Sequence, residues 1–207
     1  MNAENKKTTF RIDLEDDFIS KNIQYHIAGK ITPVDSTKTY NNKSNITVVN
    51  KFVAHLFPQI EVKKHGTLID EIEFTGIAST AKECVSYPGL NEHNGEVFHS
   101  GFKTSAHVSQ NFEAIGKLGN LGLGFFNDIS IPIYKGGFEI TFTRNNDNNA
   151  IFRWKGFKSD GTEDPSSSPL EGKVTIKTFY LRVSIIEYSS EAKTNLINDF
   201  FKENYIF

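Results

Sequence analysis

The chain has 207 residues, 38% of them hydrophobic, with 18 Phe, 7 Tyr, a single Trp and a formal charge of −2. That length suits one well-filled β-sandwich or, at a stretch, two small domains. The charge is balanced and unblocked, which excludes a long basic or acidic tail for nucleic acid or an anionic membrane.

Cysteine and targeting signals narrow the class further. Cys84 stands alone, so an intramolecular disulfide framework and a four-Cys zinc site are both excluded. It reads as a small semi-buried side chain in a reducing compartment. The opening MNAENKKTTF lacks the apolar core of a signal peptide, and no stretch approaches the ~20 apolar residues of a membrane span. The expectation is a product of cytoplasm or nucleus, not a secreted one, in which the sequons at Asn42 and Asn45 go unused. Aromatic residues at 13% favour pleated, half-buried surfaces over helical ones.

In chain order, residues 1–8 are polar and are expected to form a disordered tail. Residues 9–14 then alternate, with Phe10, Ile12 and Leu14 on one face and Arg11 and Asp13 on the other, which predicts a half-buried strand. After the acidic turn Glu15, Asp16, Asp17, a second strand carries Ile23, Tyr25 and Ile27 against Gln24 and His26 and runs to Pro33. Residues 35–45 are turn chemistry throughout and predict an exposed loop. Val48, Val49, Phe52, Val53, Leu56 and Phe57 fall at helical spacing, so residues 48–57 predict a short helix stopped by Pro58. Ile60 and Val62 resume the period of two, residues 63–66 make a charged hairpin, and residues 67–74 return as its partner. Residues 75–87 predict a weak helix with Ile77, Ala81 and Val85 on one stripe.

Residues 88–111 are polar and read as a long surface loop. The next ordered stretch is expected from Leu121, with Ile129, Ile131 and Ile133 alternating into a tight corner at Gly136 and Gly137. Phe138, Ile140 and Phe142 alternate in the partner strand, and residues 151–157 suggest a short edge strand. Residues 158–172 are rich in Ser, Pro, Asp and Gly and read as a long loop, not a domain boundary. In the last long strand the apolar parity changes part-way, so that Phe179, Leu181, Val183 and Ile185 point inward in its second half. Ser189 or Ser190 then caps a terminal helix with Leu196, Ile197, Phe200 and Phe201 on one stripe. About eight strands without a βαβ rhythm predict an all-β fold, an antiparallel eight-stranded jelly-roll sandwich with a few short helices. The domain plan is a tail at 1–8, one jelly roll at 9–188, and a C-terminal amphipathic helix at 189–207.

Gly116, Gly119, Gly122 and Gly124 have the wrong order for a dinucleotide fingerprint, and a strand is expected after them, so they read as turn glycines. His93, His99 and His107 lie six and eight residues apart in a polar loop, which does not preorganise a metal. His26, His55 and His65 read as isolated surface or rim residues. Glu71 and Glu73 share one strand face and read as the solvent side, and no GxSxG elbow is present. No catalytic, cofactor-binding or metal residue is assigned, no cofactor is expected, and the chain does not read as an enzyme.

Four segments carry a resemblance. VVNKFVAHLFPQIEVKKHGTLI (48–69), GFFNDISIPIYKGGFEITFTRNNDNNAIF (124–152), GKVTIKTFYLRVSIIEYSSEAKT (172–194) and, less closely, FRIDLEDDFIS (10–20) resemble the N-terminal jelly roll of double jelly-roll major capsid proteins, in particular the polinton and adintovirus-like versions of integrated viral elements. The resemblance implies a structural capsid-type protein of a virion, or one derived from a viral shell. It implies self-association, as a trimeric capsomer, with no specific nucleic acid and no membrane span. Family members carry a second jelly roll, absent here, so a truncated product or a separately encoded half is expected. The alternative is a jelly-roll binding module for a carbohydrate or protein ligand; a cupin-like enzyme would require bound metal.

Overall fold

A computed structural model of the chain describes residues 6–13, 18–20, 22–37, 46–49, 51–86, 111–128, 133–134, 137–144, 149–153 and 172–202. Alternation of apolar and polar side chains decides where each long strand lies. Strand β1 (Lys6–Ile12) buries Ile12 and half-buries Phe10, while Lys7, Thr9 and Arg11 face water. It starts at Lys6, so the expected tail of residues 1–8 gives up its last three residues to the sheet. Strand β9 (Phe138–Arg144) pairs with β1 on one side and with β5 (Gln59–Lys64) on the other, and β6 (Thr67–Glu73) closes the sheet in the order β1-β9-β5-β6. Phe138, Ile140, Phe142, Ile60 and Val62 from this sheet are all buried. Between β5 and β6, His65 and Gly66 both have positive φ (49° and 83°), which is the two-residue turn whose twist matches that of the flanking strands.

The second layer is built on β3 (Gln24–Pro33), flanked by β11 (Gly172–Arg182) and β7 (Asn111–Lys117), all antiparallel. Tyr25, Ile27 and Ile31 point into the core, and Gln24, His26, Ala28 and Lys30 point out. The parity change in β11 has a concrete cause. Ile176 pairs with Gly29 and Thr178 with Ala28, so Lys177 is an inserted bulge residue. Val174 and Ile176 face inward before it, and Phe179 and Leu181 after it. Gly29 is required here, because a Cβ on it would lie 2.2 Å from the Thr175 carbonyl and 2.7 Å from the Phe112 ring. The β3–β11 pair continues as β2 (Phe18–Ile19) against β12 (Ile185–Ile186), with β8 (Ile133–Tyr134) on the far side of β2.

The two layers meet face to face through phenylalanine. Phe142 of β9 lies 5.9 Å from Phe10, 5.2 Å from Phe57 and 5.0 Å from Phe179 of β11, while Phe179 also touches Phe10 at 4.9 Å and stacks on Phe57 at 5.2 Å. These are the edge-to-face and offset geometries that aromatic pairs prefer. At the rim, the Arg144 guanidinium of the first layer donates to the Val174 carbonyl of the second. The class is thus an all-β antiparallel sandwich with short helices, as the alternation predicted. The expected eight strands become twelve segments among the described residues, five of them only two or three residues long.

Several local expectations change. Residues 48–57 are not one helix. Ile46–Val48 form β4, paired with β10 (Ile151–Arg153), and helix α1 covers only Phe52–Leu56. The β-branched Ile46, Thr47 and Val48 suit a ladder better than a helix, and Lys51, left-handed at φ 54°, turns the chain into α1. Asn111–Lys117, expected at the end of a loop and in the stretch after it, is strand β7. Gly124–Asp128, expected to be strand, is a one-turn helix, α3, preceded by a 3-10 turn at Leu118–Leu121. Helix α2 (Thr75–Ser86) does not pack through Ile77 and Ala81, which are exposed, but through buried Thr75, Gly76 and Ser79. Ile185, expected inward, is 52% exposed. Helix α4 (Ser190–Lys202) starts where expected, with the Ala192 N–H donating to Ser189 Oγ at 3.3 Å. The loop residues 38–45, 87–110 and 154–171, with His93, His99 and His107, and the acidic turn at 15–17 lie outside the described residues.

Candidate functional site

The sequence singles out no catalytic residue, and three neighbourhoods of the fold hold those candidate side chains that lie among the described residues. The first is the junction of α1 and α2. Lys51 is buried and its Nζ donates to the Ser79 carbonyl at 2.7 Å. One turn on, the His55 ring fills the space over Gly76, where a Cβ would lie 2.3 Å from Nδ1. Burial, and after it the nearby Lys51 charge, hold the His55 pKa below its ordinary value, so the ring is neutral in neutral solution. The buried Lys51 side chain bound to a carbonyl, beside the half-buried imidazole, pins two helices together.

The glycine-rich segment is the second. The short helix that follows it, α3, does present N–H groups, but the N–H of Phe125 is already taken by Asp70 Oδ2 at 2.9 Å. A carboxylate from β6 therefore holds the place an anion would need, and Gly122 (φ 99°) serves the turn. Gly119 and Gly122 lie in the turn as read, whereas Gly116 is a strand residue of β7 packed against Tyr25 and Gly124 opens α3, and the element after the turn is helix, not strand.

The third is the outer surface of the two sheets. On the first sheet, Glu61 receives Lys63 at 3.1 Å and Lys7 at 3.6 Å, and Arg11 pairs with Glu139 at 3.0 Å. The Lys63 hydrogen bond is the main reason that Glu61 ionises below the usual carboxylate range, against an opposing effect of burial. Glu71 and Glu73 are exposed, as expected, with Gln59 Nε2 donating to Glu71 at 2.7 Å. His65 is exposed in its turn, and Lys64 beside it sits over the Phe138 ring, its pKa lowered by partial burial. On the second sheet His26 is not isolated. Its Nε2 is 2.6 Å from Glu113 Oε1, and its ring lies 4.6 Å from that of Tyr180.

The edge of the first sheet was not anticipated. β6 has no partner on its outer side among the described residues, and it exposes Leu68 and Ile69. Beyond its end, Phe74 is 68% exposed and Ile77, on the first turn of α2, is 67% exposed. Phe74 has φ 53°, and its carbonyl accepts the N–H groups of Ile77 and Ala78, so the chain is held with both side chains outward. Among the described residues no three of His, Cys, Asp and Glu are gathered to hold a metal ion, and no helix is long and apolar enough to cross a membrane.

Fold and surface together define an antiparallel β-sandwich with a free β6 edge that exposes apolar side chains at both ends. No family model matches the chain, and no curated protein does. Among solved structures, it is similar to a chain of the PBCV-1 virus capsid at 10% identity and a TM-score of 0.44, covering 94% of this chain and 41% of that one. It is also similar to a chain of the Sputnik virophage structure at 10% identity and a TM-score of 0.36, covering 89% of this chain and 44% of that one. The chain therefore spans about two fifths of the length of each of these two viral chains.

Proposed function

We propose that this chain is a structural subunit of capsid type, a jelly-roll sandwich that associates with further copies to build a shell. The observation that carries the reading is the free β6 edge, with Leu68, Ile69, Phe74 and Ile77 exposed along it and just beyond its end. An exposed edge strand is a template for pairing, and on β6 the middle is blunted by exposed Glu71 and Glu73 and an irregularity at Ile69, which leaves the apolar ends for contact. The apolar side chains exposed at its two ends, Leu68 with Ile69 and Phe74 with Ile77, are the surface that the working assembly covers. The phenylalanine-bridged interior supplies the rigid wall that a shell needs, and the quoted segments that resemble major capsid proteins contribute β5, β9 and β11 to it.

The finer reading follows the resemblance: a trimeric capsomer in a virion, of the polinton or adintovirus-like kind, with a second jelly roll as partner. The edge is the place for the neighbouring copy. Sedimentation velocity over a concentration range tests it, with Phe74→Asp/Ile77→Asp as the variant. Asp tolerates the left-handed backbone at position 74, and at position 77 it faces the favourable end of the α2 dipole, so neither change threatens the monomer. Association that disappears in the variant supports the reading. A natural chain that stays monomeric throughout, or a variant that associates equally, refutes it.

A further inference from the structure

The outer faces of the two sheets differ in charge. On the first, Lys7, Lys63 and Arg11 are each bonded to a carboxylate. On the second, alternation turns Lys30 from β3, Lys117 from β7, and Lys173 and Arg182 from β11 outward, and the bulge adds exposed Lys177. None of these five is ion-paired among the described residues, and the one acid on the three strands, Glu113, is engaged with His26. The cations come from segments far apart in the chain, which is why no basic block is visible in the sequence.

The register gives the face an order. Arg182, Gln24 and Lys117 form one row across the three strands, and Tyr180, His26 and Ile115 form the next. Tyr180 and Ile115 are 38% and 45% exposed, so an aromatic ring, tilted against that of His26, and an apolar neighbour reach solvent in the middle of the basic surface. Thr175, Lys30 and Asn111 make a further row of cationic character on the other side. With strand rises of about 3.4 Å per residue, the two cationic rows lie about 20 Å apart with the aromatic row between them.

We propose that this face binds single-stranded nucleic acid without sequence preference, the cations tracking the phosphates and bases lying on Tyr180. A basic track with an aromatic platform is the physical requirement for such binding. A broad sheet face favours single strands over duplex, whose major groove admits a helix or a two-stranded ribbon. A second copy, which would offer exposed Glu71 and Glu73 to this face, is the competing occupant, and self-association of the charge-reversal variant below distinguishes it. The inference is independent of the shell reading, since it uses the opposite sheet from the β6 edge.

The test is fluorescence anisotropy of a labelled 20-nucleotide oligo-dT with the whole chain, with circular dichroism melts to verify folding of each variant. With about four phosphates neutralised, affinity falls about 50-fold between 50 and 200 mM salt. Lys117→Glu/Arg182→Glu is expected to weaken binding at least tenfold at 50 mM salt, and Tyr180→Ala about tenfold, while Arg11→Glu/Lys63→Glu on the other sheet changes little. Tyr180→Ala leaves heparin binding unchanged, because heparin has no base to stack. The proposal is overturned by no saturable binding at 50 mM salt, by equal losses from both charge-reversal pairs, or by a Tyr180→Ala variant that binds oligo-dT normally. It is also overturned if Lys117→Glu/Arg182→Glu alters self-association instead of oligonucleotide binding.

Discussion

Truncation of Phe142 to Ala should destabilise the sandwich at its centre. The Phe142 ring is fully buried and touches three others, Phe10 from its own layer, Phe57 after α1, and Phe179 from the opposite layer. Removing a buried Phe costs about 3–5 kcal/mol from lost transfer energy and residual cavity. The upper half applies here, because neighbours held by two separate sheets cannot collapse together into the gap. For a domain of this size each kcal/mol lowers Tm by roughly 2–4 °C, so a drop of about 8–20 °C is expected. Thermal melts followed by circular dichroism give this number, and the cycle Phe142→Leu, Phe179→Leu and the double variant gives the coupling between sheets. Coupling of about 0.5–1.5 kcal/mol is expected for an edge-to-face pair. A loss under about 1 kcal/mol for Phe142→Ala, or strictly additive leucine variants, would show that the layers are not joined through these rings.

Gly29→Ala places a methyl 2.2 Å from the Thr175 carbonyl at the β11 bulge. The backbone must move, and a loss of about 2–3 kcal/mol in urea unfolding is expected; an unchanged midpoint would refute the tight packing. His55 supplies a pH dependence. Its folded pKa lies below 6.5, so unfolding takes up a proton, and the stabilisation is complete above pH 6.5 and is lost as pH falls through the folded value. His55→Gln should therefore flatten the decline in Tm between pH 7 and 5, and a variant that declines as steeply as the natural chain would contradict the argument. Glu61, whose folded pKa is also lowered, acts in a more acidic window, below its ordinary 4.5. Glu61→Gln should accordingly reduce the pH dependence of Tm only below about pH 5.

How much of this was legible in the sequence depends on how local the cause is. The alternation in β1, β3, β5 and β9 predicted the right inward residues, since a period of two needs no knowledge of the partner. The parity change in β11 could be read in the same way, although only pairing with Gly29 shows it to be a bulge at Lys177. Reading failed where tertiary partners decide. Ile46–Val48 is strand because β10 lies beside it. In α2 the helix docks through Gly76 and Ser79, small residues with no hydrophobic signal, because His55 and Lys51 come to meet it. β7 was obscured by a single buried pair, Phe112 and Ala114, next to glycines. The basic face requires the register of strands at residues 24–33, 111–117 and 172–182, and the apolar edge requires knowing that β6 lies outermost.

The central claim is that this sandwich is an assembling subunit held to its neighbours through the β6 edge. The most direct measurement is the mass of the purified chain in solution, by light scattering coupled to sedimentation velocity from low to high micromolar concentration. The account predicts closed oligomers that grow with concentration and revert to monomer in Phe74→Asp/Ile77→Asp. A folded chain that remains monomeric across the whole range would contradict it.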